Sequence, residues 1–587
     1  MSPGPLIGEP GTDTFGTIMG QIDRCRRLVA VAVAASLVLS CGGRAPSAPE
    51  QLAVSPAQPP APEAVDMGQP WWRSVVFYEI FVRSFADSAA GARADDGVGD
   101  LQGLIEHLDY LNDGDPETDG DLEVGGIWLM PVMQSPSYHG YDVTDYRAIE
   151  KDYGTNADFR RLVGEAHRRG IRIIVDLVLN HTSSDHPWFR DAWRERSPYH
   201  DWYIWSYEPH DYLGPWGQPV WHRALWWQRG WRHFNHLSYY GIFWSGMPDL
   251  DYRSPEVTRA MQEVSRFWIE EMGADGFRLD AIRHLIEDGA VQEDTPETHD
   301  WLRGYQRFLK TDHPEVMTVG EVWAETAVVA SYGPDELDLT FQFALAREIP
   351  EAVKSGSAAA LKAEASEVWE TFPDGRAATF LSNHDQMRVM SVLDGRVDRA
   401  KLAATLLLTS PGVPFLYYGE EIGVEGTKPD PSLRKPMPWS SEKHGGFSSK
   451  KPWQDLPLEA NRVNVNLQSA DRESLLWHYR HVIRLRNRHP ALRVGDFSPV
   501  ETGDDRIYAF ERSTDEERIL VVVNLSEEEI REYDLLMSPE RLEPEVSPEE
   551  LLAGGTAAPV DSSAYRPLAE LEPMTAYLFC WTSSDGS

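Results

Sequence analysis

From Trp71 onward the chain alternates two rhythms. Short, nearly unbroken apolar runs are separated by longer stretches with apolar residues every three to four positions. The runs at 75–85, 126–132, 172–180, 276–282, 318–323, 337–343, 378–385 and 414–423 read as strands. The third, Ile173-Ile174-Val175-Asp176-Leu177-Val178-Leu179, is apolar but for one aspartate, as a parallel strand buried on both faces must be. Before it, Phe159, Leu162, Val163 and Ala166 are spaced i, i+3, i+4, i+7 and the segment closes at Gly170, which predicts a helix. Val257, Met261, Val264, Trp268 and Met272 predict another, feeding through Gly273 into the strand at 276–282. Repeated βα units of this number predict an α/β fold, a (β/α)8 TIM barrel, with its chemistry at the C-terminal strand ends.

Two segments break the rhythm. Residues 182–250 have little periodicity, and a connection of that length is functional or a subdomain of its own. It is predicted to be an inserted domain that splits the barrel into 67–181 and 251–493. It carries Trp188, Trp193, Trp202, Trp205, Trp216, Trp221, Trp226, Trp227, Trp231 and Trp244. Most should form its core, with two or three facing a ligand, since indole faces stack on sugar rings. Beyond 494 the helical signals stop. Runs at 506–510, 518–524 and 576–581 predict a C-terminal antiparallel β-sandwich over 494–587, with Cys580 an inert buried thiol.

The first residues read as an address. Arg24, Arg26 and Arg27 precede an apolar run, 28–39, too short to span a bilayer, as in a secretory signal peptide. The run ends Val38-Leu39-Ser40-Cys41, which resembles a bacterial lipoprotein signal with Cys41 as the lipidated residue. The expectation is an exported protein, lipid-anchored to the bacterial cell envelope, whose translation starts at Met19. Residues 42–66, rich in Pro, Ala and Ser, read as a tether. Lys and Arg number 55 against 93 Asp and Glu, a net charge of −38. This argues against nucleic acid or an anionic membrane surface as partner and suits a neutral substrate. Membrane contact is expected only through the anchor, and the protein is expected to be a monomer. The cysteines, Cys25, Cys41 and Cys580, build no disulfide framework.

Charged residues cluster at the strand ends. On the strand at 276–282, Phe277 and Leu279 face one way, Arg278 and Asp280 the other. Charges there are costly unless paired. The adjacent guanidinium should hold Asp280 ionised, as a covalent nucleophile requires. On this stretch alone a structural Arg–Asp pair is an equal alternative. The other strand ends weigh against it. They carry Asp176 with Asn180-His181, Gly320-Glu321, and Asn383-His384-Asp385, and all would converge on one rim.

With these residues the sequence resembles glycoside hydrolase family 13, the α-amylase family, from about Trp71 to its end. The signatures are Asp-Leu-Val-Leu-Asn-His at 176–181, Gly-Phe-Arg-Leu-Asp-Ala-Ile-Arg-His at 276–284, Gly-Glu-Val-Trp at 320–323 and Leu-Ser-Asn-His-Asp at 381–385. The segments 135–146 and 417–423 also fit. The resemblance implies a retaining, endo-acting hydrolase of α-1,4-glucans. Asp280 would be its nucleophile, Glu321 its acid/base, and Asp385 the group that holds sugar hydroxyls. Arg278, His181 and His384 would bind the same sugar, with Asp176 orienting the site, Tyr141 stacking beneath the ring and Asp142 beside it. Arg283-His284 resembles the α-amylase pair that lines the leaving-group side. Gln386 and Arg388 resemble the oligosaccharide enzymes, and Met247-Pro248-Asp249-Leu250-Asp251 resembles members between oligo-1,6-glucosidases and neopullulanases. An α-glucosidase or oligo-1,6-glucosidase, a glucan-transferring enzyme of the trehalose synthase type, and a non-catalytic scaffold are the alternatives. The last would usually lose one of the three carboxylates. A structural Ca²⁺ is also implied, on Asp87, Asp96 and Asp100 after the first strand and on Asn180 beside the excursion. A solvated acidic turn is the other reading of that first loop.

Overall fold

The computed structural model describes residues 69–223, 237–541 and 545–582. The signal segment, Cys41 and the tether lie outside them, as do Trp226, Trp227 and Trp231. Eight parallel strands close into a barrel: β1 (Phe77–Ile80), β2 (Gly126–Leu129), β3 (Arg172–Leu177), β4 (Gly276–Leu279), β5 (Met317–Gly320), β6 (Leu339–Phe341), β7 (Ala377–Phe380) and β8 (Val413–Tyr417). They follow one another in chain order, and β8 returns to pair with β1.

Alternation along each strand builds two cores. Phe77, Trp128, Ile174, Met317, Val319, Leu339, Phe341, Ala378, Phe380, Val413 and Phe415 fill the interior, where Phe77 and Phe415 stack at 4.5 Å. Residues of the other parity, such as Tyr78, Ile127, Val175, Leu279 and Leu416, pack outward against the helices. Helix α1 (Asn156–Arg168) starts in a Thr155–Asp158 capping box and buries Phe159, Leu162, Val163 and Ala166. Helix α2 (Pro255–Arg266) runs into a π turn, Phe267–Glu271, and buries Trp268 before the chain enters β4. The strands end sooner than the apolar runs suggest. After β1 the chain turns into a helical segment, Val82–Phe85, and after β4 Ala281 takes a left-handed φ of +49°.

The excursion after β3 holds an antiparallel sheet in which Ser238–Tyr240 lies between Trp205–Ser206 and Trp221–Arg223. Trp193 and Trp205 pack on each other at 4.7 Å and both touch Phe189 and Tyr239. Trp188 and Trp202 meet at 4.8 Å. Trp216 and Trp244 stay out of this core, 66% and 51% exposed.

The C-terminal part is a sheet of β9 (Asp496–Pro499), β10 (Ile507–Ser513), β11 (Glu517–Asn524), β12 (Glu549–Glu550) and β13 (Thr575–Thr582), ordered β9-β10-β11-β13-β12. One face, with Phe510, Ile519, Val521 and Leu578, joins the core of the barrel helices. The other, with Ala509, Leu520, Val522 and Phe579, packs on a layer that includes the Leu535–Leu536 and Ala564–Tyr565 pair. Cys580 is buried; burial, with Glu517 and Glu549 nearby, pushes its thiol up to about 12, so it is not a nucleophile.

Candidate active site

The same alternation that fills the barrel delivers the charges to its mouth. Glu79, Asp176, Arg278 and Glu321 each lie two residues beyond an interior-facing residue, namely Phe77, Ile174, Gly276 and Val319. Register sets Asp176 beside Arg278 on β3 and β4, and Val319 beside Arg278 on β5 and β4. The guanidinium of Arg278 is buried over the Trp128 ring, 5.2 Å from its centre, and serves three carboxylates. Nη1 donates to Asp176 Oδ1 at 2.8 Å and to Asp280 Oδ1 at 2.6 Å, and Nη2 lies 2.7 Å from Glu321 Oε2. Glu321 Oε2 also accepts from the amide of Ala281 at 3.0 Å. The left-handed turn at Ala281, strained for a residue with a Cβ, therefore aims a backbone donor at the neighbouring carboxylate.

Burial pushes the Asp280 carboxyl up, to about 8; Glu321 and Asp176 add repulsion that Arg278 only partly offsets. This corrects the expectation that Arg278 keeps Asp280 ionised. One guanidinium cannot neutralise three carboxylates, Asp176 and Asp280 buried and Glu321 partly so, and the cluster holds a proton near neutral pH.

Asp385 is placed differently. Burial would raise it, but His384 and Arg434 hold its carboxyl far below the usual range. Arg434 Nη2 lies 2.8 Å from Asp385 Oδ1 while its Nε donates to the His384 carbonyl at 3.0 Å. His384 lies between Asp385 Oδ2 at 3.2 Å and Glu79 Oε1 at 2.6 Å. Burial opposes its charge, and these carboxylates overcome that to raise it to about 10. Tyr141 Oη bridges Asp176 Oδ2 at 3.0 Å and His384 Nε2 at 2.6 Å. His181 is buried and held neutral by burial, its pKa near 3; Nδ1 meets Asn180 Oδ1 at 3.1 Å and Nε2 has no protein partner.

Arg283 and His284 line a slot of about 210 Å³ that opens beside Glu321 between Trp216, Phe243 and Trp323. Two expected sugar contacts have other duties. Asp142 accepts from Ser135 Oγ at 2.6 Å and from Ser137 Oγ, so it braces the loop that presents Tyr141. Arg388 is buried, donates to the carbonyls of Leu433 (2.8 Å) and Tyr418 (2.5 Å), and lies over the Tyr417 ring at 4.0 Å. It fastens the end of β8 and does not reach the mouth. The Glu420-Glu421 pair is likewise internal, with Glu421 Oε1 accepting from Tyr78 at 2.9 Å and Tyr110 at 2.6 Å.

The expected metal loop does not converge. Asp100 caps a helix, accepting from Gly103 N at 2.7 Å and Ser88 Oγ at 2.8 Å. Asp96 accepts from Val98 N at 2.9 Å within its own turn, and Asp87 Oδ2 from Gly97 N at 2.8 Å, while the buried Asp87 Oδ1 has no partner among the described residues. Among the described residues, acids, histidines or cysteines gather three ligand atoms within 4.8 Å of one another only at His489, Glu517 and Cys580. There Glu517 already accepts from Ala491 N (2.6 Å) and meets His489 Nδ1 at 2.9 Å. The donor set at Asn180 is a better fit for a hard cation. Asn180 Nδ2 donates to the His284 carbonyl at 2.6 Å and its Oδ1 meets His181 Nδ1 at 3.1 Å, while Asp249 accepts from Ile242 N at 3.0 Å and keeps a buried Oδ2 without a partner.

Sequence reading missed Glu79, Arg434 and the donor at Ala281. Glu79 had a signal, since it shares the parity of Phe77; Arg434 lies in an irregular loop with none.

The sequence profile of the α-amylase catalytic domain matches residues 79–495. The chain is 38% identical over 481 residues to α-amylase 3 of Dictyoglomus thermophilum, covering 80% of this chain and 89% of that protein. It is 30% identical over 543 residues to an oligo-1,6-glucosidase of Parageobacillus thermoglucosidasius, covering 78% and 91%. The crystal structure of an α-amylase from H. orenii superposes with a TM-score of 0.74 at 36% identity, over 87% of this chain and all of that one. Barrel, carboxylate cluster and sequence thus agree that the chain belongs to the α-amylase family of glycoside hydrolases, family 13.

Proposed function

We propose that the protein is a retaining, endo-acting α-amylase that cleaves α-1,4 bonds of starch, glycogen and maltooligosaccharides. One observation carries the reading: Asp280 and Glu321 share the two terminal nitrogens of one planar guanidinium. That suits the short separation of a retaining pair, about 5–5.5 Å, better than the about 6.5–9.5 Å of an inverting one. Asp280 attacks the anomeric carbon while Glu321 gives its proton to the departing glycosidic oxygen. The C1–O bond breaks and a glycosyl ester forms on Asp280. Glu321 then takes a proton from water, which attacks C1 and releases Asp280. The cluster's proton must therefore reside on Glu321 when substrate is bound. Asp385, kept ionised by His384 and Arg434, accepts hydrogen bonds from the sugar hydroxyls. The slot beyond Glu321 supports cleavage within a chain, because it leaves room for sugar on the leaving-group side.

Reducing-end release and product sizes on starch, pullulan and maltose test this, with Glu321→Gln as control. Oligosaccharides of mixed length should appear first, and the variant should lose at least about 10²-fold in kcat. Glucose as the sole early product would instead favour the α-glucosidase or oligo-1,6-glucosidase reading. Maltose converted with no gain in reducing ends would favour a transferase.

Two further assignments belong to this reading. A structural Ca²⁺ would be held by Asn180, Asp249 and the His284 carbonyl, where it would tie the excursion to the barrel. Residues 24–41 support export and a lipid anchor on Cys41; labelling with a radioactive fatty acid should be lost in Cys41→Ser.

A further inference from the structure

The C-terminal sheet turns one face to the barrel helices, and apolar residues such as Ile519, Val521 and Leu578 build that face. Two residues on it are of metal-binding type. Strand parity sets Glu517 of β11 with Ile519, and Cys580 of β13 with Leu578. Cys580 pairs directly with Ile519, so Glu517 is its diagonal neighbour on the same face. A third residue comes from the barrel side. His489 closes the helix Leu475–Arg488, its amide donating to Leu485 O at 3.0 Å. One ligand atom from each, an imidazole nitrogen, a carboxylate oxygen and the sulfur, lie within 4.8 Å of one another. The Glu517 side chain and Cys580 are nearly covered, at 9% and 7% exposure, while the His489 side chain, at 20%, leaves an entry for an ion. Glu517 is already aimed. Its Oε1 accepts from Ala491 N at 2.6 Å, and its Oε2 meets His489 Nδ1 at 2.9 Å. A helix cap and an ion pair account for these two residues but give the thiol no part.

We propose that His489, Glu517 and Cys580 form a site for a divalent cation of the zinc type, which pins the helix Leu475–Arg488 to the C-terminal sheet. The donor set selects the metal. Nitrogen, sulfur and one carboxylate oxygen suit Zn²⁺ in a tetrahedral site, whereas Ca²⁺ takes a shell of oxygens. Ligand atoms around tetrahedral Zn²⁺ stand about 3.5 Å apart, so the three need to close by about an ångström. The cation takes the place of the hydrogen between His489 and Glu517. The imidazole then keeps its proton on Nε2, and the thiol proton passes to water. Glu549, exposed and directly opposite Cys580 on β12, offers the fourth ligand in place of water. This site is separate from the oxygen site proposed at Asn180 and does not depend on the amylase reading.

The test uses the full-length protein, freed of transition metals and kept in excess Ca²⁺ so that oxygen sites stay filled. One equivalent of Co²⁺ should give a thiolate-to-cobalt charge-transfer band in the near ultraviolet, and Zn²⁺ should abolish it. Cys580→Ser should lose the band, as should Cys580→Ala, which keeps the apolar packing if the hydroxyl is not tolerated. In equilibrium dialysis, His489→Ala and Glu517→Gln should bind Zn²⁺ at least about tenfold more weakly than wild type. Zn²⁺ should raise the Tm of the wild type and of none of these variants, while activity on starch stays the same in all. A wild-type protein that gives no cobalt band, or a band that survives in both Cys580 variants, would overturn the site. Zn²⁺ bound equally by wild type and every variant would overturn it too, leaving His489 and Glu517 as a helix stop and Cys580 as packing.

Discussion

His384 shows how a single side chain can carry the pH behaviour of the site. Its imidazole is buried between Glu79 and Asp385, and both carboxylates favour the charged form. Its pKa therefore lies near 10 instead of 6.5, so the stability it contributes is complete below about 6.5 and is lost as pH rises through about 10. Removing one of the charges must lower that pKa. Glu79→Gln keeps the hydrogen-bonding shape at Nδ1 but not the charge. The alkaline loss of stability should move toward neutral pH by at least about one unit, read from Tm against pH, while the alkaline limb of kcat/KM, set by the proton held around Arg278, should shift much less. Overlapping Tm–pH curves for variant and wild type would mean that Glu79 does not hold the charge on His384.

At the scale of elements, the joint between barrel and C-terminal sheet depends on two buried arginines, Arg486 and Arg512, that donate to backbone carbonyls. Helix α3 (Val397–Thr409) ends with free carbonyls, as helices do. Arg512 donates to Thr409 O and Gly495 O, both at 2.9 Å, and Arg486 to Leu408 O at 2.7 Å and Gly412 O at 2.5 Å. Arg512→Ala would strand buried carbonyls, a loss of about 2–3 kcal/mol. A lower denaturant midpoint at unchanged slope would register it; a drop under about 0.5 kcal/mol would refute the staple. None of this was legible in sequence, because an arginine on a strand looks alike whether it caps a neighbour or faces water. The barrel was legible, since eight apolar runs separated by helical periods have few other solutions. So were Asp176, Arg278, Asp280, Glu321 and Asp385, because strand parity and strand ends dictate where they point. The internal partners of Arg388 and Asp142 were not legible because a polar residue next to a motif carries no sign of whether it turns outward or back into its own loop. Whether Asp87, Asp96 and Asp100 hold a cation was not legible for a related reason. Acidic turns that cap their own amides use the residue types and spacing of a cation loop.

For the molecule as a whole, the junction of excursion and barrel is the place where the proposed cation matters. Asn180 ends the β3 segment, Asp249 comes from the excursion and His284 follows β4, so three separate stretches meet there. Backbone bonds already link them, with Leu250 N donating to Asn180 O at 2.8 Å and Thr182 N to Pro248 O at 3.1 Å. What those bonds leave unmet is the second oxygen of Asp249, buried without a donor. A hard cation would satisfy it, and losing that cation would cost the folded state what binding contributes, about 2.7 kcal/mol at a hundredfold excess over Kd. Chelation should therefore lower Tm by several degrees, and added Ca²⁺ should restore it. Asp249→Asn should start lower and no longer respond to chelator, whereas Asp87→Asn should keep the full response because Asp96 and Asp100 accept from amides of their own turns and bring Asp87 no further oxygen. The reverse pattern, with Asp87→Asn blind to chelator and Asp249→Asn still responsive, would move the ion to the first loop. A wild-type Tm indifferent to chelator would mean that the excursion is held by hydrogen bonds and packing alone.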